Sequence, residues 1–407
     1  TRPCVFGMRL GTSSLVVAAF VGPGTVLTCA AAGVDFGYAL GWVLLFATAA
    51  TFVLQSFTAN TGILARQGLG EALRHTLQAR WARATAFGLV VLGLWVGTAA
   101  FETGNLIGAA AGVTALLEDR IPRRAVLLLV AAAAAAILLL DLRRIAQLFT
   151  ALVIAMSGLF VAGMLLAPVD WAAAARGLVT PAVPEGGLVT VVALLGTTIV
   201  TYNLFLHPSA AKAYWADTPD RTAAWRGELR GMALFLPIGG LVSFAILAAG
   251  ATLAGQEGAA GDVAAFAVLL EPVAGPGARY CFGLGLLAAG ITSAMTAPLA
   301  AAAGIREIFG WPDDTTDTRY RLVWASVLGT GLVFALGDWS PLAAIIAAQA
   351  ANGLLLPLIA GFMLYLSLRQ EVVYLPRWYY GVGLLVVLIC GGLGGRTLWW
   401  VWGQVAG

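Results

Sequence analysis

Gly22-Pro23-Gly24-Thr25 interrupts a long apolar run near the start of the chain, and Thr201-Tyr202-Asn203 interrupts a second run in its middle. A proline ring removes an amide donor and clashes with the preceding turn. Flanking glycines let the backbone unwind at little cost. Backbone groups freed in hydrocarbon are expensive unless something satisfies them. Paired breaks at matching places in two halves of a membrane chain point to a substrate site at the midplane.

The composition around the breaks supports that reading. Of 407 residues, 60% are hydrophobic and 11% charged, with a mean hydropathy of +0.90. Soluble domains carry about 25% charged residues. The chain is therefore expected to be an all-α polytopic membrane protein. Its apolar runs are long and continuous, unlike the short alternating segments of a β-barrel. A net charge of +3 gives no reason to expect nucleic acid as a partner. Cys4, Cys29, Cys281 and Cys390 are far apart, in or beside apolar runs. They read as small buried hydrophobes, with neither a metal site nor a disulfide expected. No nucleophile–base set is apparent, so no enzyme and no cofactor are expected.

At roughly 20 apolar residues per span, about eleven spans are predicted, near 12–32, 38–62, 84–116, 124–141, 144–167, 187–206, 230–254, 277–304, 320–337, 341–366 and 379–401. A short surface helix, 71–82, precedes the third. Most of the 23 basic residues fall in loops on the N-terminal side. The positive-inside rule then predicts a multi-pass cell-membrane protein with a cytoplasmic N-terminus and an extracytoplasmic C-terminus. Spans 1–5 and 6–10 run in opposite senses, and the breaks fall in the first span of each half. One transporter domain is predicted, with inverted repeats at about 12–167 and 187–366 and an extra span at 379–401. The loops Lys212 to Arg230 and Arg306 to Arg321 carry both charge signs and read as gating or anchoring surface.

A broken helix offers free N–H groups at a positive dipole end, suited to a carboxylate, and free carbonyls, suited to a cation. The candidate substrate-binding residues are Gly22, Gly24 and Thr25, Thr28 one turn on, Thr201, Tyr202 and Asn203, and Gln349 in span 10. Asn352, a turn beyond Gln349, either lines the same cavity or bonds a neighbouring helix. Glu102 is the one acid expected deep within a span. Together with Asn105 it is either a proton or sodium coupling site, or a protonated bridge between helices. The hydroxyls of Ile291 to Pro298 could ligate sodium, but close packing of small residues accounts for them better.

Four stretches then carry a family resemblance: Gly196 to His207 in span 6, Ala289 to Ala301 in span 8, Gln349 to Pro357 in span 10, and Phe101-Glu102-Thr103-Gly104-Asn105-Leu106-Ile107-Gly108 in span 3. Together they resemble the Nramp (natural resistance-associated macrophage protein) family of divalent-metal transporters. The resemblance implies a leucine-transporter-type fold. The family's span 1 motif Asp-Pro-Gly-Asn reads Gly22-Pro23-Gly24-Thr25 here, and its span 6 motif Met-Pro-His-Asn reads Val200-Thr201-Tyr202-Asn203. Of the motif's polar residues, Asn203 and the span 10 position Gln349 remain.

With the carboxylate and the sulfur gone from those positions, the expected cargo is a small organic molecule such as an amino acid. Its carboxylate would sit on the amides of Gly22 to Thr25, with H⁺ as a candidate coupled ion. The alternative is a divalent cation, Mg²⁺ or Mn²⁺, held by carbonyls, Asn203, Gln349 and Glu102. A second alternative is a membrane receptor that does not transport.

Overall fold

Pro23 opens the first helix of the computed structural model, which describes residues 21–77, 79–117, 120–140, 143–254, 264–369 and 375–406. The predicted start of span 1 (12–20) and Cys4 lie outside the described residues. Helix α1 (Pro23–Phe36) follows Gly22, whose backbone is extended. Proline at the first helical position gives up an amide that would have no helical partner anyway. Next come α2 (Gly41–Ala59), which runs into a π-helical turn (Asn60–Leu64), and the short α3 (Leu69–Thr76). The first half closes with α4 (Arg80–Leu117), α5 (Arg123–Leu139), α6 (Arg143–Leu166) and α7 (Trp171–Val179). The second half holds α8 (Leu188–Thr198), α9 (Thr201–Tyr214), α10 (Arg221–Ala251), the single turn α11 (Glu271–Ala274), α12 (Ala278–Phe309), α13 (Thr318–Ala335), α14 (Pro341–Leu368) and α15 (Arg377–Ala406). The described residues contain no strand.

Local chemistry sets several boundaries. Asp170, Asp220 and Asp317 each accept hydrogen bonds from amides in the first turn of α7, α10 and α13. These caps satisfy donors that have no helical partner.

Eight helices are long and apolar enough to cross a bilayer among the described residues, against about eleven predicted spans. The shortfall has physical causes. The first span is only partly described. Helix α5 has 17 residues, which at about 1.5 Å per residue falls short of the roughly 30 Å hydrocarbon core. Helix α13 has 18 residues and begins with Arg319 and Arg321. Both are helices packed into the bundle all the same, α5 and α13 each against α4.

Helix α4 is the central strut, with α12, α13 and α14 packed along it, while α10 lies against α1 and α14 also against α8. The α1–α10 contact is close because both sides are glycine. A Cβ on Gly33 would meet the Leu247 carbonyl, and one on Gly250 the Ala30 carbonyl. Small residues bring helix backbones together where lipid supplies no hydrophobic drive. Large apolar side chains such as Leu92, Leu129, Val333 and Trp399 face outward. In lipid these are ordinary solvent contacts; in water they would form an aggregation-prone surface.

The second break lies two residues earlier than predicted. The non-helical link is Ile199-Val200, and Thr201-Tyr202-Asn203 forms the first turn of α9. One side chain explains the shift. The Asn352 amide nitrogen donates to the Gly196 carbonyl at the end of α8. The Asn352 oxygen accepts from Thr201 Oγ1 at 2.7 Å. A single amide on α14 thus ties down both sides of the break.

Candidate functional site

The two breaks face each other through paired hydroxyls, with Thr25 Oγ1 of α1 lying 2.7 Å from Thr197 Oγ1 of α8. Around them the predicted residues gather from four helices. Gly24 of α1 abuts the Gln349 side chain of α14, and a Cβ there would run into its amide. The same amide lies 3.5 Å from where a Cβ on Gly104 of α4 would stand. Gly22 faces α12 and α4: a Cβ on it would stand 2.9 Å from Ser293 Oγ and 4.0 Å from Asn105 Oδ1. Gly22, Gly24, Ser293, Asn105 and Gln349 therefore converge on one spot. Thr25, Thr28, Glu102, Thr201, Tyr202 and Asn203 are buried as well.

The hydrogen bonding separates these residues. Thr201 is committed to Asn352, and Asn105 Nδ2 donates to Glu102 Oε2 at 3.2 Å. Tyr202 packs edge-on against Phe101, ring centres 5.3 Å apart. By contrast Glu102 Oε1, Asn105 Oδ1, Asn203 Oδ1, Ser293 Oγ, Thr28 Oγ1 and both polar atoms of Gln349 are buried with no hydrogen-bond partner in the protein. Buried polar atoms are nearly always paired, so an unpaired set asks for an explanation. Turning the Gln349 amide over exchanges its oxygen and nitrogen without changing its shape, so it can present either to Gly24.

Every unpaired atom of the set apart from the Gln349 nitrogen is an oxygen. They are one carboxylate oxygen, three amide oxygens and two hydroxyls, with no sulfur and no imidazole among them. No group of three or more His, Cys, Asp or Glu side chains able to hold a metal occurs among the described residues. Cys29 and Cys390 are buried free thiols.

Ser293 is the residue that sequence reasoning passed over, since its stretch looked like close packing. Its neighbours fit that account, with Thr292 and Thr296 bonding back to carbonyls of their own helix. Ser293 Oγ does not. The signal was a lone hydroxyl without a carbonyl partner, which only the fold reveals.

A second polar cluster joins α2, α3, α9, α10 and α12. Thr58 Oγ1 lies 2.7 Å from His207 Nδ1, and His207 Nε2 lies 3.1 Å from Glu228 Oε1. Trp215 Nε1 donates to Glu228 Oε2 at 2.7 Å. Glu307 accepts from the Gly70 amide and from Ser209 Oγ. Lys212 Nζ donates to Glu71 Oε2 at 2.8 Å. Burial works to raise the Glu71 carboxyl, but the bonds from Lys212 and the Gly68 amide outweigh it and hold it below the usual carboxylate range.

Residues 13–400 match the family described as natural resistance-associated macrophage protein-like, Nramp. The chain belongs to the Nramp family. Among its Nramp relatives is the divalent metal cation transporter MntH of Acidiphilium cryptum, 27% identical over 383 residues, covering 91% of this chain and 84% of the relative. The MntH of Burkholderia ambifaria is 28% identical over 396 residues, covering 91% and 85%. The fold resembles that of the Eremococcus coleocola manganese transporter, with a TM-score of 0.73 at 20% identity over 94% of this chain and 84% of that one. Nramp members are membrane transporters and not enzymes, and the chain is an all-helical, multi-pass member of that class.

These relatives overturn the expected organic cargo: proteins matched over nine-tenths of the chain are named divalent metal cation transporters. The physical error can be located. That expectation rested on two short motifs, where the side chains of Gly22 and Val200 offer no ligand atom, and left Glu102, Asn203 and Gln349 to the alternative. It also took the Gly22 to Thr25 backbone for an open cradle, whereas the Gln349 amide and Ser293 hydroxyl stand against its glycines.

Proposed function

We propose that this chain moves a divalent metal cation, Mg²⁺ or Mn²⁺, across the membrane. The observation that carries the reading is the set of buried oxygen acceptors without donors beside the helix breaks. Acceptors left without donors in an apolar interior are costly, and a cation is the ligand that satisfies many of them at once. Hard cations take carboxylate, amide and hydroxyl oxygens, and Mg²⁺ usually keeps several waters rather than sitting in an all-protein cage. A donor set without sulfur suits such ions.

In this reading Gln349, Asn203, Asn105 and Ser293 supply neutral oxygens, and Gly22 and Gly24, lacking side chains, let the Ser293 hydroxyl and the Gln349 amide approach the first break. Glu102, reached through Asn105, supplies the negative charge. Its carboxylate is also the point at which proton movement would couple to the metal. The inverted repeats at about 12–167 and 187–366, with the extra span 379–401, provide the two bodies that rock about the site. The bias of basic residues supports a cytoplasmic N-terminus and an extracytoplasmic C-terminus.

The test is metal uptake by the purified chain in proteoliposomes carrying a divalent-sensitive dye. Inward gradients of Mn²⁺ and Mg²⁺ should each be applied, and flux of at least one should exceed that of empty vesicles and fall with Asn203→Ala. A folded, reconstituted protein that passes neither ion sinks the proposal.

A further inference from the structure

In an unbroken helix the Val200 amide would bond to the Gly196 carbonyl four residues back. The chain leaves the helix at Ile199 (φ −95°, ψ 78°), and Asn352 Nδ2 on α14 donates to that carbonyl instead. Across the link, Asn352 Oδ1 accepts from the hydroxyl of Thr201, the first residue of α9. The partners fix which way the amide points, since a carbonyl can only accept. Asn352 and Thr201 are both fully buried. A Cβ on Gly97 would stand 3.4 Å from Thr201 Oγ1 and 3.7 Å from Asn352 Oδ1, so α4 closes over the pair.

Where the family's span 6 motif has proline, this chain has Thr201. Proline breaks a helix by its own chemistry; Ile199, Val200 and Thr201 do not. The break is therefore held from elsewhere in the fold, and Asn352 bonds to both of its sides. The same residue joins two candidate ligands. Gln349 lies one turn earlier on α14, and α8 rests directly on that turn: a Cβ on Gly196 would run into the Gln349 carbonyl, and one on Gly353 into the Val192 carbonyl. Asn203, with its unpaired Oδ1, follows Thr201 by two residues in the first turn of α9.

We infer that Asn352 is a positioning residue. Through Gly196 and Thr201 it stands in for the missing proline, and it sets the placement of Asn203 relative to Gln349 without itself touching the cargo. Its hold on the break is independent of the cargo, whereas its effect on affinity rests on the divalent-cation reading. Groups that orient metal ligands are worth about 10–100-fold in metal affinity.

The test pairs a lesion with a local repair. Asn352→Leu keeps a similar shape and removes both bonds. In proteoliposomes the KM for whichever of Mn²⁺ and Mg²⁺ the parent carries should rise about tenfold or more, with the maximal rate nearly unchanged. Thr201→Pro should repair that loss. Val200 is already extended (φ −80°, ψ 123°), as a residue before proline must be, and proline suits the first position of a helix. The double variant should regain most of the affinity, although the Gly196 carbonyl stays unpaired and the melting temperature stays low. An asparagine that only stabilised the bundle would lower melting and leave KM alone. Hydrogen exchange of the 197–204 amides in metal-free protein reads the break without any cargo. It should be faster in Asn352→Leu and return toward the parent rate in the double variant. If Asn352→Leu gives too little folded protein, Thr201→Val removes the α9 bond alone and should speed the same exchange and raise KM by a smaller factor. A parent that carries neither ion overturns the cargo and leaves the exchange result to decide the role of Asn352. Unchanged exchange in these variants, or no repair by Thr201→Pro, overturns that role.

Discussion

At one end of the bundle the buried His207, Glu228 and Thr58 and the half-buried Trp215 are bonded to one another. At the helix breaks Gln349, Asn203, Asn105 and Ser293 are equally buried and leave their oxygens unpaired. Both regions place polar groups where water is scarce, yet only one of them closes its own account of donors and acceptors. A closed network holds helices together, and its loss costs stability. An open one is stable only to the extent that a ligand completes it, and its loss costs function. Substitutions in the two regions should therefore fail in different assays.

The largest effect is expected at Glu228. Glu228→Ala removes the acceptor of both Trp215 Nε1 and the His207 ring. A buried donor left without an acceptor costs about 1–3 kcal/mol, and here two are left. Thermal unfolding in detergent should shift down strongly, and the yield of folded protein should fall. An unchanged melting temperature would move this cluster out of the structural class and erase the contrast.

Glu102→Gln comes next and belongs to the other class. Glutamine keeps the shape of the side chain and can still accept from Asn105, but it removes the one carboxylate of the open set. Metal uptake should drop at least about tenfold, equivalent to about 1.4 kcal/mol, with melting unchanged, because glutamine keeps the shape of the side chain and the bond from Asn105. Normal uptake combined with lower stability would make Glu102 a helix-bridging group, the other reading its sequence allowed.

Gln349→Ala should reduce uptake several-fold and lower melting less than Glu228→Ala does, because it leaves a cavity at a buried position but breaks no hydrogen bond within the protein. Added Mn²⁺ or Mg²⁺ should raise the melting temperature of the parent protein, since a ligand of the native state stabilises it. The variant should show a smaller rise. A full metal-induced shift in Gln349→Ala removes this residue from the site.

The comparison also explains which parts of the site could be read from sequence. Gly22-Pro23 was legible because glycine and proline act on their own backbone, and the helix does begin at Pro23. The second break was placed two residues late. Ile199 and Val200 carry no breaking chemistry, and the link is set by Asn352, about 150 residues away. Glu102 and Gln349 stood out as polar residues in apolar runs. Ser293 did not, because a serine among small residues looks like packing. The cargo was misread for a related reason: the unpaired buried oxygens sit on α4, α12 and α14 as well as on the broken helices, and no local motif contains that set.

The smallest effect tests the closed region at its exposed edge. Glu71 accepts from Lys212 and from the Gly68 amide, and its carboxyl stays below the usual range. The Lys212 and Glu71 side chains are 41% and 26% exposed, so solvent screens the pair and its worth is about 0.2–1 kcal/mol. Because the folded value lies below the unfolded one, the unfolded chain takes up the proton first as pH falls. The pair's contribution is therefore complete above the ordinary value of 4.5 and is lost as pH drops through the lower folded value. Lys212→Met should lower the melting temperature slightly at pH 7, and the gap to the parent protein should close under acid conditions. A gap of the same size at pH 3 would mean that Lys212 acts through its apolar stem, not its charge. The edge of the closed network would then be held by packing, while its buried core at Glu228 would still depend on paired polar groups.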